Sequence, residues 1–149
     1  MRDKATSTAI ALIGILTLVP GFLEIIFSLA GRSYTWSFIT FSGEFVLWRG
    51  VILVSSGFIY LFALNQPDRV QKHARGVLAS LMIWIVAGGE ALSLILGSIP
   101  GEGGRWITTL EDFASSYHEP VAPSLLLLPI TLALVLWIYL EDGKYEKGK

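Results

Sequence analysis

The 149-residue chain contains no cysteine, which removes disulfides, thiolate metal centres and cysteine nucleophiles together. Charge is also scarce. Only 15% of residues are Asp, Glu, Lys or Arg, and a net charge of −1 predicts no general affinity for nucleic acid. Histidine is limited to His73 and His118, in connections expected at opposite ends of the molecule, whereas a membrane haem needs axial ligands from within a bundle. No HExxH, P-loop, GxSxG or glycine-rich dinucleotide fingerprint occurs, and the serines, histidines and acids stand in no context for nucleophilic catalysis. The run "YHEP", near Glu111 and Asp112, offers imidazole and oxygen ligands, but one histidine among surface carboxylates is a poor metal site. The sequence therefore predicts no enzyme activity, no cofactor and no metal.

Apolar side chains are abundant instead: 53% of residues are hydrophobic, and the mean hydropathy is +0.62. The apolar residues concentrate in segments 9–30, 45–64, 76–99 and 121–140. Each has the roughly 20 residues that a helix rising about 1.5 Å per residue needs to cross a hydrocarbon layer about 30 Å thick. Alternation of period two is absent from them, which disfavours a barrel. The expected fold is an all-α integral membrane protein, a single domain over 1–149 built as a left-handed bundle of four transmembrane helices. The small residues "SLA" before Gly31 resemble a signal-peptide cleavage site, but the preceding apolar run is too long for that and contains Glu24.

Orientation follows from the basic residues. Arg2 and Lys4, then Arg69, Lys72 and Arg75 in the 65–75 turn, then Lys144, Lys147 and Lys149 in the 141–149 tail, all fall on one side; Arg32 and Arg105 fall on the other. The positive-inside rule then puts both termini in the cytoplasm of a cell-membrane protein, with loops 31–44 and 100–120 outside. Tyr34, Trp36, Trp48, Trp106 and Tyr117 near the outer boundary, and Tyr60, Trp137 and Tyr139 near the inner one, read as interface anchors. In the first outer loop Tyr34, Trp36 and Phe38 alternate with polar residues up to Gly43, the pattern of a strand or an extended cover over the helix ends. In the second, Trp106, Ile107, Leu110, Phe113 and Tyr117 recur at helical spacing, which predicts an amphipathic helix lying in the interface.

Three charges interrupt the apolar segments: Glu24, Arg49 and Glu90. Counted from the outer ends of their segments at 1.5 Å per residue, they lie about 9, 6 and 13 Å deep, within reach of one arginine side chain. A charge at mid-membrane costs roughly 2.5–3.5 kcal/mol on insertion scales, so pairing is expected, with two carboxylates sharing one guanidinium. The seams around the cluster agree. Gly14, Thr17, Gly21, Glu24, Ser28 and Gly31 recur at spacings of three and four, as do Arg49, Leu53, Ser56, Tyr60 and Ala63, and Gly76, Ser80, Ile83, Ala87, Glu90, Leu94 and Gly97. The fourth segment carries no charge and is expected to pack from outside, kinked at Pro129. The echo of "EIIFSLAG" in "EALSLILG" suggests that helices 1–2 and 3–4 form a parallel repeat.

Two functional readings follow. The first is an interaction or accessory subunit of a membrane assembly, with lipid and other membrane subunits or a second copy as partners. The second is a small oligomeric transporter or channel that uses Glu24, Arg49 and Glu90 for protons or cations.

Overall fold

A computed structural model describes residues 2–37, 39–41, 45–97 and 121–146. Among them are four helices, α1 (Arg2–Leu29), α2 (Val46–Leu64), α3 (Arg69–Gly97) and α4 (Pro123–Glu146), and two short strands, β1 (Tyr34–Trp36) and β2 (Ile39–Phe41). All four helices are long and apolar enough to cross a membrane. The expected interfacial helix, with Trp106, Leu110, Phe113 and Tyr117, lies outside the described residues.

Each helix runs antiparallel to the next, so the bundle has a hairpin end, where β1 and β2 lie, and a terminal end. The extended loop pattern resolves into a β-hairpin with Tyr34 opposite Phe41 and Trp36 opposite Ile39. Strand pairing breaks at Ser37, whose φ of +53° is the conformation that a two-residue hairpin turn requires. An isolated bridge joins Ile39 to Val121, and the Thr40 N–H donates to the Val121 carbonyl, which ties the start of α4 to the hairpin. At the end of α1, Gly31 adopts a φ of +61°; its N–H bonds the Ser28 carbonyl while the Arg32 N–H bonds that of Phe27. This Schellman closure stops the helix, and glycine takes the left-handed position without a Cβ clash. Phe27 then stacks on Tyr34 at 5.3 Å and meets Phe41 at 5.6 Å, which seats the hairpin against the helix end.

The core is a column of Ile10, Ile13, Leu53, Tyr60, Ala63, Ala79, Ile83, Leu127, Leu134 and Ile138. The outward face of α1, with Leu12, Ile15, Leu16, Val19, Phe22 and Ile26, is exposed, as on a helix whose other solvent is lipid. α1 and α2 touch almost backbone to backbone. A Cβ at Gly21 would stand 2.8 Å from the Val54 amide nitrogen, and one at Gly50 would stand 2.9 Å from the Gly21 carbonyl oxygen. The α3–α4 contact does not repeat this arrangement at the described glycines, since Gly88 and Gly89 have nothing within 4 Å of a built Cβ and Gly76 meets only side chains, Ile138 at 3.6 Å being the nearest. A two-fold internal repeat is therefore not visible in the packing of these pairs.

The fourth helix departs from the expectation of an outside position. Ser124, Leu127, Thr131, Leu134 and Ile138 are all buried and recur at spacings of three and four, a seam like those of the other helices. The Trp84 indole N–H donates to the Thr131 hydroxyl at 2.9 Å, a direct polar tie between α3 and α4. Absence of charge concealed this face, because its polar members are only hydroxyls. α4 also runs through Pro129, and α1 through Pro20, without a break in either helix.

Candidate functional site

The structure joins Glu24, Arg49 and Glu90. Arg49 Nε donates to Glu24 Oε1 at 2.6 Å, and Arg49 Nη1 donates to Glu90 Oε1 at 2.5 Å. One guanidinium thus bridges α1 to α3 from its position on α2. The planar fork serves the two carboxylates from two separate, fixed nitrogens, whereas a lysine ammonium would offer its three donors from a single nitrogen. Glu24 is fully buried and Arg49 nearly so, whereas Glu90 keeps 28% of its side chain exposed.

Local sequence places each member. Glu24 follows Gly21 by one turn on the α1 seam, and the missing side chains at Gly21 and Gly50 bring α1 and α2 close. A Cβ at Gly50 would meet Glu24 Cβ at 3.0 Å, so the carboxylate enters the bundle beside Arg49 rather than above it. Comparisons with protein-family models, curated proteins and solved structures find no match. The chemistry of the site must therefore be argued from its own residues.

The rest of the expected seam divides between the core and a cleft. Thr17, Ser56, Tyr60 and Ala87 are buried, as is Gly21. The Thr17 and Ser56 hydroxyls bond the carbonyls of Ile13 and Ile52 within their own helices, which removes their polar groups from competition with the cluster. Tyr60 reaches across to Ser80, with the two hydroxyl oxygens 2.7 Å apart, and forms a second polar tie toward the terminal end. Ser28 is instead part of a cleft of about 290 Å³ at the hairpin end, lined by Phe27, Ser28, Gly31, Arg32, Ser33, Phe41 and Val46. Ser28 is one turn beyond Glu24, and Val46 three residues before Arg49, so the cleft lies directly over the α1–α2 side of the cluster.

Antiparallel neighbours fix the level of the charges along the bundle. The Ile10 and Ile138 side chains both approach Gly76, so α1 and α4 are in step there. Fourteen residues on, α1 reaches Glu24; fourteen residues back, α4 reaches Ser124. Six residues from the Trp84–Thr131 bond in the same sense are Glu90 on α3 and Leu125 on α4. Counted at equal rise per residue, the first turn of α4 falls at about the level of both carboxylates. Its N-terminus carries the positive end of the helix dipole, which favours an excess of negative charge at that level. Ser124, buried on α4, is the member of this layer that charge-based reading missed; its place in the 124–127–131–134–138 spacing is the signal that marks it.

Chemically, the site combines two acceptors for one delocalised cation, without a nucleophile beside a base. Such an arrangement can hold helices in one register or exchange a proton. Two ionised carboxylates against one guanidinium leave one negative charge uncompensated.

Proposed function

We propose that this chain is an interaction or accessory subunit of a membrane assembly, spanning the cell membrane four times with both termini in the cytoplasm, and that α3 carries its docking face. The observation behind this reading is the uneven treatment of the two carboxylates. Glu24 is sealed, but Glu90 remains part-exposed, and Gly89, the residue before it on α3, has open space around it. Small residues let a second helix approach closely, and a polar group at the bundle surface rewards a donor on that helix. Even paired with Arg49, an acid that keeps part of its surface exposed would be expensive in lipid.

The reading as a proton- or cation-linked transporter would be served by an opening over Glu90. The described cleft is walled by α1, α2 and the hairpin and lies on the α1–α2 side of the cluster.

The experiment is native mass spectrometry of the chain released in mild detergent, beside a Gly89→Leu variant. Wild type is expected in a complex with a second copy or another membrane subunit, and Gly89→Leu, which fills the open space, is expected to lower the associated fraction at least tenfold. A wild-type chain that stays monomeric when reconstituted, and when extracted from its own membrane, refutes the accessory reading.

Orientation has a separate check. With eight basic residues on one side and two on the other, a cysteine placed at Lys147 should react with an impermeant thiol reagent only after the cells are opened. Reaction in intact cells reverses the topology.

A further inference from the structure

The ion pairs leave part of the cluster unsatisfied. Glu24 Oε2 and Arg49 Nη2 are buried without a hydrogen-bond partner, and so is the hydroxyl of Ser124. These atoms come from three helices; Arg49 bonds both carboxylates, and counting residues along the helices from the in-step pairs brings Ser124 to about the same level. Glu24 and Ser124 are fully buried, and Arg49 keeps 4% exposure. Leaving a buried polar atom unpaired costs roughly 1–3 kcal/mol, and more for a charged group, so three in one layer point to a common partner.

The donor inventory identifies that partner's chemistry. Arg49 Nη2 only donates, an ionised Glu24 Oε2 only accepts, and the Ser124 hydroxyl does either. A metal cation would be repelled by the guanidinium, and an anion would face the carboxylate. A neutral molecule that both donates and accepts fits all three. Because the residues are sealed among helices, it must also be very small.

We propose that Glu24, Arg49 and Ser124 form a binding site for a single structural water that closes the charged cluster against α4. Its oxygen accepts from Arg49 Nη2, one O–H donates to Glu24 Oε2, and the other donates to Ser124 Oγ, which gives the three bonds usual for a buried water. Ser28, one turn from Glu24, lines the hairpin-end cleft, so the site lies about one helical turn, roughly 5 Å, beneath a route for exchange. The water joins α4 to a cluster that the ion pairs alone build from α1, α2 and α3. This assignment is independent of whether a partner docks on α3.

The test uses infrared spectroscopy of the full chain in nanodiscs, hydrated in turn with H₂¹⁶O and H₂¹⁸O. Wild type should show an isotope-sensitive O–H stretching band of bound water that slow drying does not remove. Ser124→Ala, which takes away one partner but leaves the space, should shift that band. Ser124→Leu, which fills the space, should abolish it. If Ser124→Leu does not fold, Ser124→Ala carries the decision together with nuclear Overhauser contacts from long-lived water to the Arg49 Nη protons, expected in wild type. A wild-type spectrum without the band, a band that Ser124→Ala leaves unshifted, or the absence of those contacts overturns the proposal. So does a band that persists in a folded Ser124→Leu chain.

Discussion

Replacing Arg49 by leucine is expected to destabilise the bundle by about 3–5 kcal/mol, the largest loss from any single charge among the described residues. The substitution removes both ion pairs at once and leaves Glu24, which has no exposure, beside Glu90 at the same level. Removing one partner of a buried charge cluster costs far more than the cluster contributes over an apolar replacement, because the remaining charges keep the desolvation penalty without the compensation. A direct comparison follows. Arg49→Leu combined with Glu24→Gln and Glu90→Gln should recover much of the loss, since the triple variant leaves no charge in the cluster. Arg49→Lys should fall between, because one ammonium does not reproduce the separate Nε and Nη1 bonds of the guanidinium. Reversible unfolding in mixed micelles, followed by tryptophan fluorescence, gives all the values. An Arg49→Leu chain within about 1 kcal/mol of wild type would show that the cluster does not hold the fold.

The legible part of this structure and the hidden part have different physical origins. Helix number could be read because lipid leaves the backbone no alternative: apolar runs of about 20 residues must satisfy their own N–H and C=O groups. The meeting of Glu24, Arg49 and Glu90 could be anticipated because unpaired charge is so costly there that depth alone nearly specifies the partner. Hydroxyls announce themselves less. Ser124 and Thr131 are cheap to bury, occur throughout transmembrane helices and carry no charge to balance, so the inner face of α4 was visible only as a spacing within a nearly uniform apolar run. The hairpin shows a further limit. Alternation in Tyr34, Thr35 and Trp36 indicated extended chain, but the reversal depends on the positive φ at Ser37, a residue type that does not demand that conformation. The different coverage of Glu24 and Glu90 is not written in their seam positions, since a sealed acid and a part-exposed one recur at the same spacing. The open space beside Gly88 and Gly89 is a property of the packed bundle, visible only once α3 has been set against α2 and α4.

A valine at Gly21 should be nearly as damaging as the loss of Arg49, by a different route. The Cβ alone would sit 2.8 Å from the Val54 amide nitrogen and 3.0 Å from Leu53 Cβ, and the first of these belongs to a backbone that cannot rotate aside. Relief therefore requires α1 and α2 to separate. Overpacking of this kind costs typically about 1–3 kcal/mol. Here a second loss is added, because Glu24 lies one turn away and its 2.6 Å bond to Arg49 depends on the same helix separation. The two contributions can be divided by a double-mutant cycle. Glu24→Gln alone removes the charged partner, and Gly21→Val alone imposes the separation; if separation acts through the Glu24–Arg49 bond, the combined variant should be more stable than the sum of the two losses predicts, by about 0.5–3 kcal/mol. Gly88→Ala supplies the control within the same chain. No atom lies within 4 Å of its new methyl group, and alanine is the better helix former, so stability should be unchanged or slightly increased. Strict additivity of Gly21→Val and Glu24→Gln would mean that the glycine seam and the charged cluster are independent, and that close packing of α1 on α2 does not position Glu24 for Arg49.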